Sequence, residues 1–268
     1  MEIKKTAILN GVTLGIHVSI SYLTKFKLIN PKDIGQVSNE YPSLFTPAGI
    51  TFAIWGLIYF SLLSFFVYHL VIAYKKDANH PANRDLRRLG YLFIINNLAT
   101  ATWVLAWTHE LFLLSVVLIL IQLVTLIMMN QRLSIHDASR SLASKIFTQL
   151  PLSIYFGWIS IATIANISTW LTAIQWDGWG ISDINWAITM IAIAVMITVW
   201  VINRKKNVFF GLVVLWAFYG IILKREEIDS SRFEPIIMVT YGGMGIVAAA
   251  ILFGLIRNLR EKRVLRLS

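Results

Sequence analysis

The chain has 268 residues, of which 57% are hydrophobic and only 14% charged, where a soluble domain carries roughly a quarter charged residues. It contains no cysteine, which excludes disulfides, thiolate metal sites and cysteine nucleophiles. Its net charge of +10 needs a source, and apolar runs of about 20 residues, each able to cross a bilayer core of roughly 30 Å, supply the setting: an all-α, polytopic transmembrane helix bundle.

In chain order, the first 24 residues have a basic start and an apolar middle. They lack a small-x-small cleavage site, and polar residues dilute the core, so they read as a retained first span over 6–24. A long loop, "KFKLINPKDIGQVSNEYPSLFT", leads into a second span over 48–74. A third over 89–107 and a fourth over 111–131 are joined by the tight turn "THEL", which holds Glu110. The fifth covers 146–170, the sixth 186–203, the seventh 208–223 and the eighth 236–256. The seventh is short for a span, at about 16 apolar residues.

With the N-terminus inside, the inner segments hold 18 of the 24 Lys and Arg. The outer side holds Lys25, Lys27, Lys32, Lys224, Arg225 and Arg232. This three-to-one bias makes the positive charge topogenic, not a nucleic-acid footprint. It places both termini in the cytoplasm; the membrane expected is a prokaryotic cytoplasmic membrane. The basic tail "RNLREKRVLRLS" suits the anionic headgroups of membrane lipid.

No Lys, Arg, Asp or Glu falls mid-span in this reading, which argues against a proton-coupled pump and leaves no lysine for a retinal Schiff base. His17, Asn96, Asn97, Gln122 and Asn166 lie at membrane depth, where the ordinary role of such groups is hydrogen bonding between helices. The five histidines (17, 69, 80, 109, 136) are dispersed, so no protein-built metal site is expected. Gly242, Gly243, Gly245, Ala249 and Gly254 in the eighth span, and Gly11 and Gly15 in the first, offer smooth faces. They suit close packing inside the chain or a homodimer contact.

Aromatic surface is concentrated, with ten Trp, fifteen Phe and nine Tyr. Trp170, Trp176, Trp179 and Trp186 bracket the loop "LTAIQWDGWGISDINW" and read as an interfacial belt. A second group is spaced differently. Trp55 and Tyr59 are four apart, as are Trp103 and Trp107, while Tyr155 and Trp158 are three apart and share a face with Ala162 and roughly with Asn166. Spacing alone leaves interhelical packing and the stacking of a flat apolar ligand both open.

The stretch "TPAGITFAIWGLIY" resembles the start of the second helix of the translocator protein/tryptophan-rich sensory protein (TspO/MBR) family, with its Pro, Trp and Tyr at Pro47, Trp55 and Tyr59. "WVLAW" resembles the family's tryptophan-rich third helix at Trp103 and Trp107, and "LPLSIYFGWISIATIAN" its fifth, at Tyr155, Trp158, Ala162, Thr163 and Asn166. The sequence departs from the family pattern in three places. The Pro before the fifth-helix Tyr is displaced to Pro151, an Asn is replaced by Thr100, and a second Pro by Ala53.

The resemblance covers about 6–170. It implies a five-helix unit over 1–174, followed over 175–268 by three additional transmembrane helices and the basic tail. It also implies a bundle pocket for a tetrapyrrole such as protoporphyrin or haem, lined by Pro47, Trp55, Tyr59, Trp103, Trp107, Tyr155, Trp158, Ala162 and Asn166, with no cofactor required. The loop after the first helix would cover its mouth, with Lys25, Lys27 and Lys32 facing ligand carboxylates or simply solvated. The implied role is sensing, regulation or transport. Export or uptake of another amphipathic metabolite is a second reading, and light-dependent porphyrin degradation a third, although no acid–base pair supports catalysis.

Overall fold

The fold was taken from a computed structural model, which describes residues 2–135, 137 and 139–267, with side chains described as far as 257. His136 and the side chains of the basic tail beyond Arg257, assigned above to headgroups, lie outside the described residues.

Helix α1 (Ile3–Lys25) ends with Lys25 in its last turn, where a cation complements the carbonyl end of the helix. A seven-residue helix, α2 (Ile34–Glu40), then forms inside what reads as loop. Asp33 starts it through a capping box, accepting from the Gln36 backbone N–H while Gln36 accepts from Asp33. A 3₁₀ turn over Gly49–Ala53 leads into α3 (Ile54–Lys75).

Helix α4 (Pro81–Leu89) has Pro at its first position, where no N–H is needed, and His80 as its cap. Gly90, at φ +56°, ends it, and a 57° bend separates it from α5 (Leu92–Thr108). Helix α6 (Phe112–Arg132) follows the tight turn at Glu110. The short turn α7 (Leu142–Ser144) widens into a π-helical stretch, Lys145–Gln149, before α8 (Leu150–Ala173). Pro151 explains the widening. It has no N–H for the ladder, and the Leu150 amide reaches back five residues to the Lys145 carbonyl. Helices α9 (Asp183–Lys205), α10 (Val208–Asp229) and α11 (Glu234–Leu267) complete the chain.

Among the described residues, seven helices are long and apolar enough to cross a membrane. The bent pair Pro81–Leu89 and Leu92–Thr108 makes an eighth when taken as one span. The seventh span is not short: α10 has 22 residues. This corrects the placement of Arg225, which is no loop residue. It lies within α10, 1% exposed, with its Nε and Nη2 unbonded and Phe233 5.2 Å from its Cζ.

Packing closes α1, α3, α8, α6 and α5 into a ring. Polar side chains stitch it internally. Asn97 Oδ1 meets His17 Nδ1 at 2.9 Å, and Asn96 Nδ2 donates to Thr125 Oγ1 at 2.8 Å and to the Gln122 carbonyl. In hydrocarbon each such bond contributes about 0.6 kcal/mol on average. Helix α10 packs against α8 on one side and against α9 and α11 on the other. The small residues divide their duties. A Cβ on Gly11 would meet the Phe66 ring and one on Gly243 would meet Val195, so both are used in packing inside the chain, whereas Gly15, Gly242 and Gly245 face open space.

Candidate functional site

At the α2 end of the ring, α3, α5 and α8 turn their aromatic faces toward one another. The Trp55 and Trp103 ring centroids are 6.4 Å apart, Trp55 and Trp158 are 6.3 Å apart and nearly perpendicular, and Trp103 stacks on Trp107 at 5.7 Å. These rings, with Pro47, Ala162 and Asn166, line a cavity of about 40 Å³. Seven of the nine residues singled out by sequence therefore meet around one space.

The other two stand behind it. Tyr59 stacks on Trp55 at 5.5 Å and faces His17, while the Tyr155 hydroxyl bonds Thr100 Oγ1 at 2.7 Å. Thr100, where the family pattern has Asn, thus takes up the tyrosine hydroxyl. Sequence reasoning missed Ile34, Ser38, Thr46, Phe52, Ile161, Ala165 and Thr169, which also line the cavity. A helical signal existed for Ala165 and Thr169, each three residues beyond a predicted lining residue. None existed for Ile34 and Ser38, which arrive on α2.

The four cavity indoles differ in what their N–H groups do. Trp103 Nε1 donates to Asn166 Oδ1 at 2.7 Å, and Asn166 Nδ2 donates on to Ser115 Oγ. Trp107 Nε1 donates to the Ile34 carbonyl at 3.1 Å, tying α5 to the lid. The buried Nε1 atoms of Trp55 and Trp158 have no partner. Buried donors are nearly always satisfied, so these two cavity-lining indoles keep unused donor capacity.

Helix α2 closes the mouth. Lys32 Nζ pairs with both Glu40 and Glu110, Tyr41 Oη donates to Glu110 Oε2 at 2.6 Å, and Lys224 Nζ donates to Asn39. Lys32 is therefore committed to carboxylates of this chain and is not a free rim cation. Lys25 lies 6.0 Å from the Tyr22 ring, and Lys27 is exposed. On the opposite wall the Ala48 N–H donates to the Gly220 carbonyl at 2.9 Å and Trp216 Nε1 to the Thr51 carbonyl at 2.9 Å, fastening residues 48–51 to α10.

The Lys32 ammonium, then the Tyr41 hydroxyl, hold the Glu110 carboxyl below its ordinary value of 4.5. Glu110 and Glu40 in turn raise Lys32 above its ordinary 10.5. A depressed acid stabilises the closed form above its unperturbed pKa and loses that contribution as pH falls through the lower value. A raised base does so below its unperturbed pKa and loses it as pH rises through the higher one. The latch is thus complete between about pH 4.5 and 10.5. Glu110→Gln is expected to speed hydrogen exchange of the 34–40 amides at neutral pH, after correction for intrinsic rates. Wild type should approach the variant only below about pH 4.5. Identical exchange in the two proteins at neutral pH would mean the latch does not hold the lid.

A family model described as TSPO-like protein matches residues 7–253. The chain belongs to the TSPO-like family. The match runs from α1 into α11, well beyond the part of the chain that carries the aromatic motifs. No curated protein and no solved structure matches the chain. Membership in the TSPO-like family, with the seven apolar helices, identifies an integral membrane protein. Among the described residues no group of three or more His, Cys, Asp or Glu could hold a metal ion.

Proposed function

We propose that this TSPO-like protein binds a flat, apolar small molecule bearing acceptor groups, of the tetrapyrrole class, between Trp55, Trp103, Trp107 and Trp158, for sensing, regulation or transport. The observation that carries this reading is the pair of unpartnered indole donors, Trp55 Nε1 and Trp158 Nε1, in the wall of a mostly apolar and aromatic cavity. Ring faces supply stacking area, and the two N–H groups would fix the ligand's orientation through its carbonyl or carboxylate oxygens.

The closed cavity, at about 40 Å³, has room for water but not for a ligand of several hundred Å³. A porphyrin therefore fits only with α2 displaced, and binding is coupled to lid opening. By the positive-inside bias, the lid end faces away from the cytoplasm and the termini lie within it.

The test is saturable quenching of tryptophan fluorescence in detergent-solubilised protein titrated with protoporphyrin. Trp55→Phe and Trp158→Phe keep the ring and delete the donor. Each is expected to weaken binding by roughly 10- to 100-fold, the equivalent of about 1.5–3 kcal/mol for a hydrogen bond to a charged group. Non-saturable quenching, or affinity unchanged in both variants, would overturn the assignment.

A further inference from the structure

A larger cavity, about 540 Å³, lies outside the ring between the C-terminal end of α8, the start of α9 and the strap Pro42–Phe45. Its volume falls in the range of small-molecule sites. Three indoles converge on it. Trp176 lies 5.2 Å from Trp179 and 5.3 Å from Trp186, and Trp179 lies 6.1 Å from Trp186, with all three pairs steeply inclined. This is a cluster presenting ring faces in several directions.

The cluster is held in place at a cost. Trp179 adopts φ +53°, ψ +34°, a left-handed conformation unfavourable for a bulky residue. The Asp177 carboxylate accepts from its backbone N–H at 3.0 Å, and Trp186 Nε1 donates to the Gly178 carbonyl at 2.9 Å. Yet Trp179 is 76% exposed, so the strain is not offset by burial. Strain that fixes an exposed aromatic beside a cavity points to recognition.

Charge narrows the ligand. Among the described residues Asp183 is the one charged residue in the cavity wall, and no described Lys or Arg lines it, in a chain whose net charge is +10. The N-terminus of α9 beside it is answered by Ser182, which accepts from the Asn185 N–H. Aromatic faces around a carboxylate favour a cation. We infer that the Trp176–Trp179–Trp186 cavity is a second binding site, for a lipophilic organic cation of the quaternary ammonium type, its charge held among the indoles and Asp183. The absence of basic residues in the wall favours a free cation over a choline phospholipid, whose phosphate would have no partner there. This chemistry is opposite to that of the ring cavity, whose unpaired donors call for acceptors.

The experiment is equilibrium dialysis of the full chain in detergent with radiolabelled tetraphenylphosphonium, using tetraphenylborate as the isosteric anion. The expected result is saturable phosphonium binding, weakened at least tenfold by Asp183→Asn and by Trp179→Ala. Trp179→Phe should retain part of it, and Trp158→Phe should leave it unchanged. Tetraphenylborate should bind at least tenfold more weakly. Non-saturable uptake, equal binding of the anion, or binding unchanged in both Asp183→Asn and Trp179→Ala would overturn the site and leave the tryptophans as interfacial anchors. Competition by phosphatidylcholine but not by phosphatidylglycerol would overturn the free-cation assignment in favour of a choline headgroup.

Discussion

Arg140→Ala is expected to lower the unfolding free energy by about 3–5 kcal/mol, the cost of breaking a buried ion pair by removing one partner. Arg140 Nη1 and Nη2 each donate to a different oxygen of Asp85 at 2.7 Å, and the Asp85 side chain is only 2% exposed. The same guanidinium donates to Ser144 Oγ. Without it, a carboxylate on α4 stays buried with its charge uncompensated. Asp85→Leu combined with Arg140→Met removes both charges and should recover most of the loss, because a buried pair and an apolar replacement are often near equal in stability. Denaturant unfolding in detergent reads both. A double variant as unstable as the single would show that the pair matters through something other than the stranded charge.

Gly220→Val is expected to cost about 1–3 kcal/mol through overpacking and to weaken ligand binding in the ring cavity at least tenfold. Even a single Cβ at position 220 would lie 1.9 Å from Thr51 Oγ1 and 3.0 Å from the Pro47 Cβ. Val cannot be accommodated without pushing Pro47, itself part of the cavity wall, away from α10. Gly220→Ala should be milder, and adding Thr51→Ala should restore part of its loss by removing the hydroxyl from the contact. Gly245→Ala, where nothing lies within 4 Å, is the matched control and should stay within about 0.5 kcal/mol of wild type. Thermal unfolding and the protoporphyrin titration together separate the two effects. Gly220→Val behaving like Gly245→Ala would show that α10 does not set the position of that wall.

The spans were legible because about 20 apolar residues have few alternatives in a bilayer. The aromatic faces were legible because residues four apart on a helix must share a side. What escaped had weaker local signals. The seven residues of α2 are too few for periodicity, although Asp33 and Gln36 at capping-box spacing were readable. Spacing put Tyr59 and Tyr155 on the right helix faces but could not say that Tyr59 lies behind Trp55, or that the Tyr155 hydroxyl is turned to Thr100. Arg225 precedes Glu226 and Glu227 and so reads as loop. The helix continues past all three, and Phe233 covers the guanidinium. The tryptophans at 176, 179 and 186 had the composition of an interfacial belt. Only the left-handed turn at Gly178–Gly180 brings them together.

The two walls of the ring-cavity mouth are not equally free to move. Side-chain contacts at the rim, and one indole bond to the Ile34 carbonyl, hold α2, whereas backbone groups at 48–51 are joined to α10. Such a doorway swings on one side only. For the proposed ligand the wall near α10 is the fixed jamb, and the expected way in runs beneath α2, over the Glu110 turn. Entry of the proposed ligand should accordingly depend on exposed charges, whose strength falls as salt rises, while its contacts with buried rings and two N–H groups should be indifferent to ionic strength.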